Sequence, residues 1–397
     1  MSLFGKFEEI AARRDAIAES GAQPFNVVVE RVISATEAIV NGRPTILAGT
    51  NNYLGLTFDP ECMAAAHKAI SEEGTGTTGS RMANGTFASH IALEEDLARF
   101  FGRRAAVAFS TGYLANLGIL STLTGRDDVI LLDADSHASI YDGCQLGGAE
   151  VIHFRHNDAV DLGKRLRRLG SRAKDALIVV EGIYSMLGDR APLSDIVAVK
   201  AEYGACLLVD EAHSVGVIGE RGLVAEQGVH DQVEFITGTF SKALGATGGF
   251  CVSDLPELDL IRLMSRPYVF TASLCPSVIA STRKALECLH TRPELREQLW
   301  KNAKHMYDRL KNIGYTVGPE PSPVIASMIA NGDEALALWS GLLERGVYVN
   351  LVLPPATPNA SHLLRASVSA AHSSAQIDQV CDAFAEVKDA IATSSTA

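Results

Sequence analysis

Between residues 105 and 252 the chain alternates short apolar runs with longer amphipathic ones. Ala105–Phe109, Val129–Asp133, Val151–Phe154, Ala176–Glu181, Ala205–Asp210, Phe235–Thr239 and Gly249–Val252 have strand length. Ile91–Phe101, Tyr113–Leu123, Ala138–Leu146, Ala159–Leu169 and Leu193–Tyr203 carry helical patterns. Continuous apolar strands separated by helices predict an α/β fold, with a mainly parallel sheet covered on both faces. Ahead of it the pattern predicts a helix over Phe7–Ser20, an extended stretch at Val27–Ile33, a short segment at Glu37–Ile46 and a helix over Pro60–Glu73. After residue 275 the rhythm changes. A long helical region, Ser277–Lys311, leads to strands at Val324–Ile329, Tyr348–Leu353 and Leu363–Ser369, flanked by helices at Glu334–Arg345 and Ala375–Ile391. The expected organisation is an N-terminal arm (1–50), a large domain (51–275) and a smaller C-terminal α+β domain (276–397), with a disordered Ser/Thr-rich tail after Ala392.

Composition narrows the function. The 397 residues carry a net charge of −12, which argues against general nucleic-acid binding. An anionic ligand must therefore meet a local basic or backbone N–H site. The apolar runs are too short to span a bilayer, and the N-terminus lacks the pattern of a secretory signal. Seven cysteines are scattered without a C-x-x-C pair, as expected of reduced thiols in a cytoplasmic protein with no structural metal. Lys164, Arg165, Arg167, Arg168, Arg172 and Lys174 form a basic cluster. It reads as a solvated helix face, with a dock for an acyl carrier protein or anionic lipid as the sharper alternative. Gly74-Thr-Gly-Thr-Thr-Gly79 matches the dinucleotide-binding spacing, but it follows a helix rather than a strand and opens no helical run.

Four segments carry candidate chemistry. Ser110-Thr-Gly-Tyr-Leu-Ala-Asn116 follows a strand and opens a helix, where backbone N–H groups can hold a phosphate. His137 sits just past a strand end, where an aromatic ring could stack on a planar cofactor. Asp210 ends an apolar strand and needs a cationic partner, either a protein side chain or a protonated ring nitrogen. His213 follows three residues later. Gly238-Thr-Phe-Ser-Lys-Ala-Leu-Gly-Ala-Thr-Gly-Gly249 sets a single lysine, Lys242, among glycines and hydroxyls, as Schiff-base chemistry requires.

With Thr50-Asn-Asn-Tyr-Leu-Gly-Leu56, Gly79-Ser-Arg81, His137-Ala-Ser139, Val209-Asp-Glu-Ala-His-Ser214 and Gly238-Thr-Phe-Ser-Lys242, the chain resembles the α-oxoamine synthases, fold-type I enzymes that use pyridoxal 5'-phosphate (PLP). The likeness covers residues 24–390. Asp135–Gly143, Arg266–Leu274, Tyr348–Pro358 and Leu363–Ser367 narrow it to members that join L-serine to a long-chain acyl thioester (acyl-CoA or acyl carrier protein). The resemblance implies that Lys242 forms an imine with PLP, Asp210 pairs with the pyridinium, His213 meets the ring oxygen and His137 stacks on the ring. It implies phosphate contacts from Gly112, Tyr113, Thr239 and Ser241, with Thr271 from a neighbouring subunit, and a cofactor contact from Ser185. Arg365 would bind the amino-acid carboxylate. Arg81 is a further substrate-binding candidate, and Asn52 and Tyr53 would reach the site across a homodimer interface. Glycine- or alanine-using condensing enzymes, a transaminase and a non-catalytic binding protein remain the alternatives.

Overall fold

A computed structural model describes residues 3–19, 24, 27–354, 357 and 360–394. It divides into two compact units, Asn51–Trp300 and Met1–Thr50 with Lys301–Ala397.

The larger unit is built on seven strands: β1 (Ala105–Phe109), β2 (Val129–Asp133), β3 (Glu150–Phe154), β4 (Leu177–Glu181), β5 (Cys206–Asp210), β6 (Phe235–Thr239) and β7 (Gly249–Ser253). Their order is β1-β7-β6-β5-β4-β2-β3. All neighbours are parallel except β7, which is antiparallel to β1 and β6. Every residue of β2, β4, β6 and β7 is buried, which is why these strands are continuously apolar rather than alternating. Phe109, Ile119, Ile130, Val179 and Leu208 belong to one core cluster. Truncating a residue such as Ile119 to Ala would cost about 2–5 kcal/mol.

Local chemistry sets the helix ends. Asp59 caps helix Pro60–Glu73 by accepting from the N–H groups of Glu61 (3.0 Å) and Cys62 (3.1 Å), and Pro60 occupies the first turn. Thr111 caps helix Gly112–Leu123 through the Leu114 N–H at 3.1 Å. The helical region expected over 277–311 is instead two helices, Pro276–Thr291 and Glu294–Ile313. Pro293 separates them, since it has no N–H to donate and its ring clashes with the preceding turn. Helix Pro276–Thr291 packs on helices Pro60–Glu73 and Ala88–Phe101, within the larger unit. Helix Glu257–Met264 had no counterpart in the sequence pattern as read, although Leu258 and Ile261 give it a buried face.

The smaller unit has two sheets. One orders Val29–Val32, Glu37–Val40, Arg43–Leu47 and Val347–Tyr348. The segment expected at Glu37–Ile46 is a hairpin, turned at Asn41 and Gly42, both at positive φ (50° and 71°). The other orders Thr316–Val317, Val324–Ile329, His362–Ser367 and Asn350–Val352. The last helix runs from Ser374 to Ser394, so helix replaces the disorder expected just after Ala392. Of the segments singled out in the sequence, Ser20, Pro355, Ala356, Pro358 and residues 395–397 lie outside the described residues.

Candidate active site

Three neighbouring parallel strands, β2, β4 and β5, each end in a carboxylate: Asp133, Glu181 and Asp210. Beside them lies a cavity of about 290 Å³. It is lined by Gly112, Tyr113, His137, Asp210, His213, Thr239, Ser241 and Lys242, so all four candidate segments converge there. Thr111, Asn116, Ser139 and Glu181 also line it, and the sequence reading gave none of these a role.

At one end, Asp210 is buried and accepts from the Ala212 N–H (2.9 Å) and from Asn116 Nδ2 (2.6 Å). Asn116 accepts in turn from Thr237 Oγ1 at 2.8 Å. His137 caps helix Ala138–Gly147, with its Nδ1 accepting from the Ser139 N–H at 3.2 Å. Its own backbone N–H donates to Glu181. Burial, helped by the Lys242 charge and opposed by Asp210, holds the His137 imidazole below its ordinary pKa. Burial and the neighbouring Asp210 charge push the Glu181 carboxyl well above the carboxylate range. His213 Nδ1 lies 2.7 Å from the Tyr53 hydroxyl, deep in the interior.

The other end is made of glycine, hydroxyl and backbone. Thr239 Oγ1 donates to the Gly248 carbonyl (2.9 Å) and lies 2.8 Å from Ser241 Oγ. A Cβ on Gly112 would lie 2.7 Å from Thr239 Cβ, and one on Gly249 would lie 2.5 Å from Gly112 Cα. Only glycine permits this close approach beneath the start of helix Gly112–Leu123, whose N–H groups and dipole favour an anion. Tyr113, partly exposed, donates its hydroxyl to the Asp142 carboxylate.

Other candidates fall elsewhere. Tyr53 meets His213 within one chain, so it reaches this site without crossing an interface. Asn52 donates to Thr57 Oγ1 at 2.7 Å. Arg81 is buried and makes a bidentate pair with Glu94 (2.8 and 3.1 Å), also under the Tyr268 ring, so its guanidinium is engaged in the core rather than offered to a substrate. Ser185 and Thr271 are half-buried and do not line this cavity. Arg365 belongs to the smaller unit, buried in strand His362–Ser367, with Nη1 donating to Ser367 Oγ at 3.3 Å.

The chain belongs to the aminotransferase class I and II family, whose model matches residues 43–384. Within that class it is similar to a serine palmitoyltransferase of Caulobacter vibrioides, 59% identical over 392 residues that cover 98% of this chain and 97% of the relative. A serine palmitoyltransferase of Sphingomonas paucimobilis is 49% identical, over 96% and 92% of the two chains. An 8-amino-7-oxononanoate synthase of Lysinibacillus sphaericus is 38% identical, over 87% and 89%. A solved structure described as SPT with PLP internal aldimine superposes with a TM-score of 0.95 at 48% identity, covering 99% of this chain and 100% of the other. The fold is that of the fold-type I PLP enzymes, as the α-oxoamine synthase resemblance implied.

The cavity residues fit such a cofactor. The glycine–hydroxyl end could take a phosphate, Asp210 could face a protonated ring nitrogen, His137 could cover the ring and Lys242 could meet the aldehyde.

Proposed function

We propose that the protein is a PLP-dependent acyltransferase that condenses L-serine with a long-chain acyl thioester, releasing the thiol and CO2 and giving 3-oxosphinganine. The observation that supports this most is the placement of Lys242 and Asp210 in one cavity, in a chain so similar to serine palmitoyltransferases over nearly its whole length.

When bound, PLP supplies an electron sink for negative charge at the amino acid's α-carbon. Lys242 provides the amine that holds the cofactor and, once displaced, the base that takes the α-proton. Asp210, steadied by Asn116 and the Ala212 N–H, would face the ring nitrogen. His137 covers one side and orients the substrate. His213, positioned by Tyr53, serves the ring oxygen. Arg365 receives the serine carboxylate, a role suited to a planar guanidinium.

The active form in this reading is a homodimer, to which Thr271 and Asn52 contribute across the interface. Leu260, Leu263, Met264 and Phe270 support it, because they are 60%, 55%, 70% and 75% exposed in the single chain and lie within eleven residues of one another. The protein is cytoplasmic in this reading, and all seven cysteines are free thiols. Among the described residues no helix is long and apolar enough to cross a membrane. Lys164, Arg167, Arg168 and Lys174 are exposed, which supports peripheral contact with an anionic lipid surface.

Purified protein loaded with PLP should release free thiol and CO2 from palmitoyl thioester only when serine is present. Release with glycine or alanine but not serine would move the assignment to another condensing enzyme. Amino-group transfer without thiol release would contradict the condensation itself.

A further inference from the structure

Asp210, Asn116, Ser139 and His137 form one hydrogen-bonded chain. Its direction can be read from the charged end. A carboxylate only accepts, so the amide group of Asn116 that faces Asp210 at 2.6 Å is its NH2. The same nitrogen donates to Ser139 Oγ at 3.0 Å, while Thr237 Oγ1 donates to the amide oxygen at 2.8 Å. Ser139 Oγ accepts from Asn116 and lies 2.8 Å from His137 Nδ1, to which it donates when that nitrogen carries a lone pair. The Ser139 backbone N–H, which can only donate, points at that nitrogen too, at 3.2 Å. Two donors converge on Nδ1, so it must present a lone pair. Nε2 bonds none of the described side chains, on a ring that lines the cavity.

We infer that Asn116 and Ser139 are positioning residues that hold His137 as the neutral tautomer protonated on Nε2, so that it meets its ligand as a hydrogen-bond donor. In that form Nε2 cannot accept a proton. It suits an anionic oxygen, either a carboxylate or the oxygen of a carbonyl that gains charge as it is attacked. The two donors at Nδ1 also disfavour the imidazolium, which would need an acceptor there. Burial and Lys242 act in the same direction, Asp210 acts against them, and Tyr113, Glu181 and His213 are the other titratable groups lining the cavity. Both relay side chains are almost fully buried, Asn116 at 3% and Ser139 at 1% exposure, so water does not compete for these bonds. The tautomer depends on the protein alone. Only the identity of the ligand facing Nε2 rests on the proposed function.

The test is nitrogen NMR on protein labelled with 15N-histidine, with and without PLP, the His137 signals being identified by their loss in His137→Asn. Nδ1 should be pyridine-like and Nε2 pyrrole-like between about pH 6 and 8, the range in which an ordinary histidine changes charge. Ser139→Ala removes one donor to Nδ1 and should raise the pH at which the ring titrates by up to about one unit. Ser139→Thr keeps the hydroxyl and should titrate as the parent does. A pyrrole-like Nδ1 in the parent protein overturns the inference, and so does a Ser139→Ala ring that titrates unchanged. If Ser139→Ala fails to fold, the parent spectrum decides alone. Failure to bind PLP would sink the proposed function and leave the tautomer result standing. PLP bound through Lys242 beside a protonated Nδ1 would sink only the relay.

Discussion

The two ends of the cavity solve opposite electrostatic problems. The carboxylate end is lined by Glu181 and Asp210, with Asp133 at the next strand end, and each carboxyl is handled differently. Asp133 is met by His156, whose Nδ1 lies 2.8 Å from it and whose Nε2 lies 2.6 Å from Asp189. Burial and the neighbouring Asp210 charge drive the Glu181 carboxyl pKa well up. Asp210 has only neutral donors, Asn116 and the Ala212 N–H, among its hydrogen-bond partners in this end of the cavity. In the proposed reading, the ring nitrogen of PLP is the cation that would face Asp210. The glycine–hydroxyl end holds no carboxylate among its lining groups; it offers a helix start, hydroxyls and backbone packed closely enough for only glycine to fit. The difference gives the cavity a polarity, so a ligand carrying a cation at one end and an anion at the other can enter in one orientation only.

The carboxylate end should be the more sensitive. Asp210→Ala removes a charge as well as the acceptor of two hydrogen bonds, and breaking a buried charge pair costs about 3–5 kcal/mol. Turnover should fall by roughly two to four powers of ten, measured as thiol release, with the protein still folded by circular dichroism. A loss of less than tenfold would mean that this carboxylate does not face the cofactor's cation.

The glycine–hydroxyl end should respond through affinity. Gly249→Ala places a methyl 2.5 Å from Gly112 Cα and from the Thr111 carbonyl oxygen, both backbone atoms that cannot step aside cheaply. Overpacking of this kind costs about 1–3 kcal/mol. PLP should then bind roughly ten- to a hundredfold more weakly, read from cofactor absorbance on titration. Unchanged affinity would show that the phosphate sits elsewhere.

The smallest effect separates structural charge from functional charge within the carboxylate end. Burial alone would lower the His156 pKa, but hydrogen bonds to Asp133 and Asp189 outweigh it and push it up to about 10, from 6.5. The folded protein therefore keeps a proton that the unfolded chain releases near pH 6.5. The stability this contributes is complete below about pH 6.5 and is lost as the pH rises through about 10. His156→Gln should lower stability at neutral pH and flatten the decline toward alkaline pH, measured by urea denaturation at several pH values. An equally steep decline in the variant would assign it to another group.

Much of this was legible in the sequence because the information was local. A strand buried on both faces must be continuously apolar, and β2, β4, β6 and β7 of the large sheet are wholly buried. The convergence of Gly112, His137, Asp210 and Lys242 followed from their shared place just beyond strand ends. What the sequence did not disclose was pairing across the fold. Arg81 looks like an anion binder until Glu94 is seen beside it, thirteen positions along. Asn116 was within a singled-out segment, but nothing local ties it to Asp210. Glu181 ends its strand just as Asp210 does and is equally buried; the two differ in their partners, the His137 N–H for Glu181, and Asn116 and the Ala212 N–H for Asp210. The break at Pro293 was a local signal, overridden by the helical pattern on either side.

The central claim is that Lys242 is the amine at which PLP is held, opposite a carboxylate at Asp210. The direct measurement is borohydride reduction of the PLP-loaded protein, followed by digestion and mass mapping of the stable pyridoxyl adduct. The adduct should fall on Lys242 alone and should vanish in Lys242→Ala together with turnover. An adduct on any other lysine, or a Lys242→Ala protein that still condenses serine with an acyl thioester at the parent rate, would contradict the account.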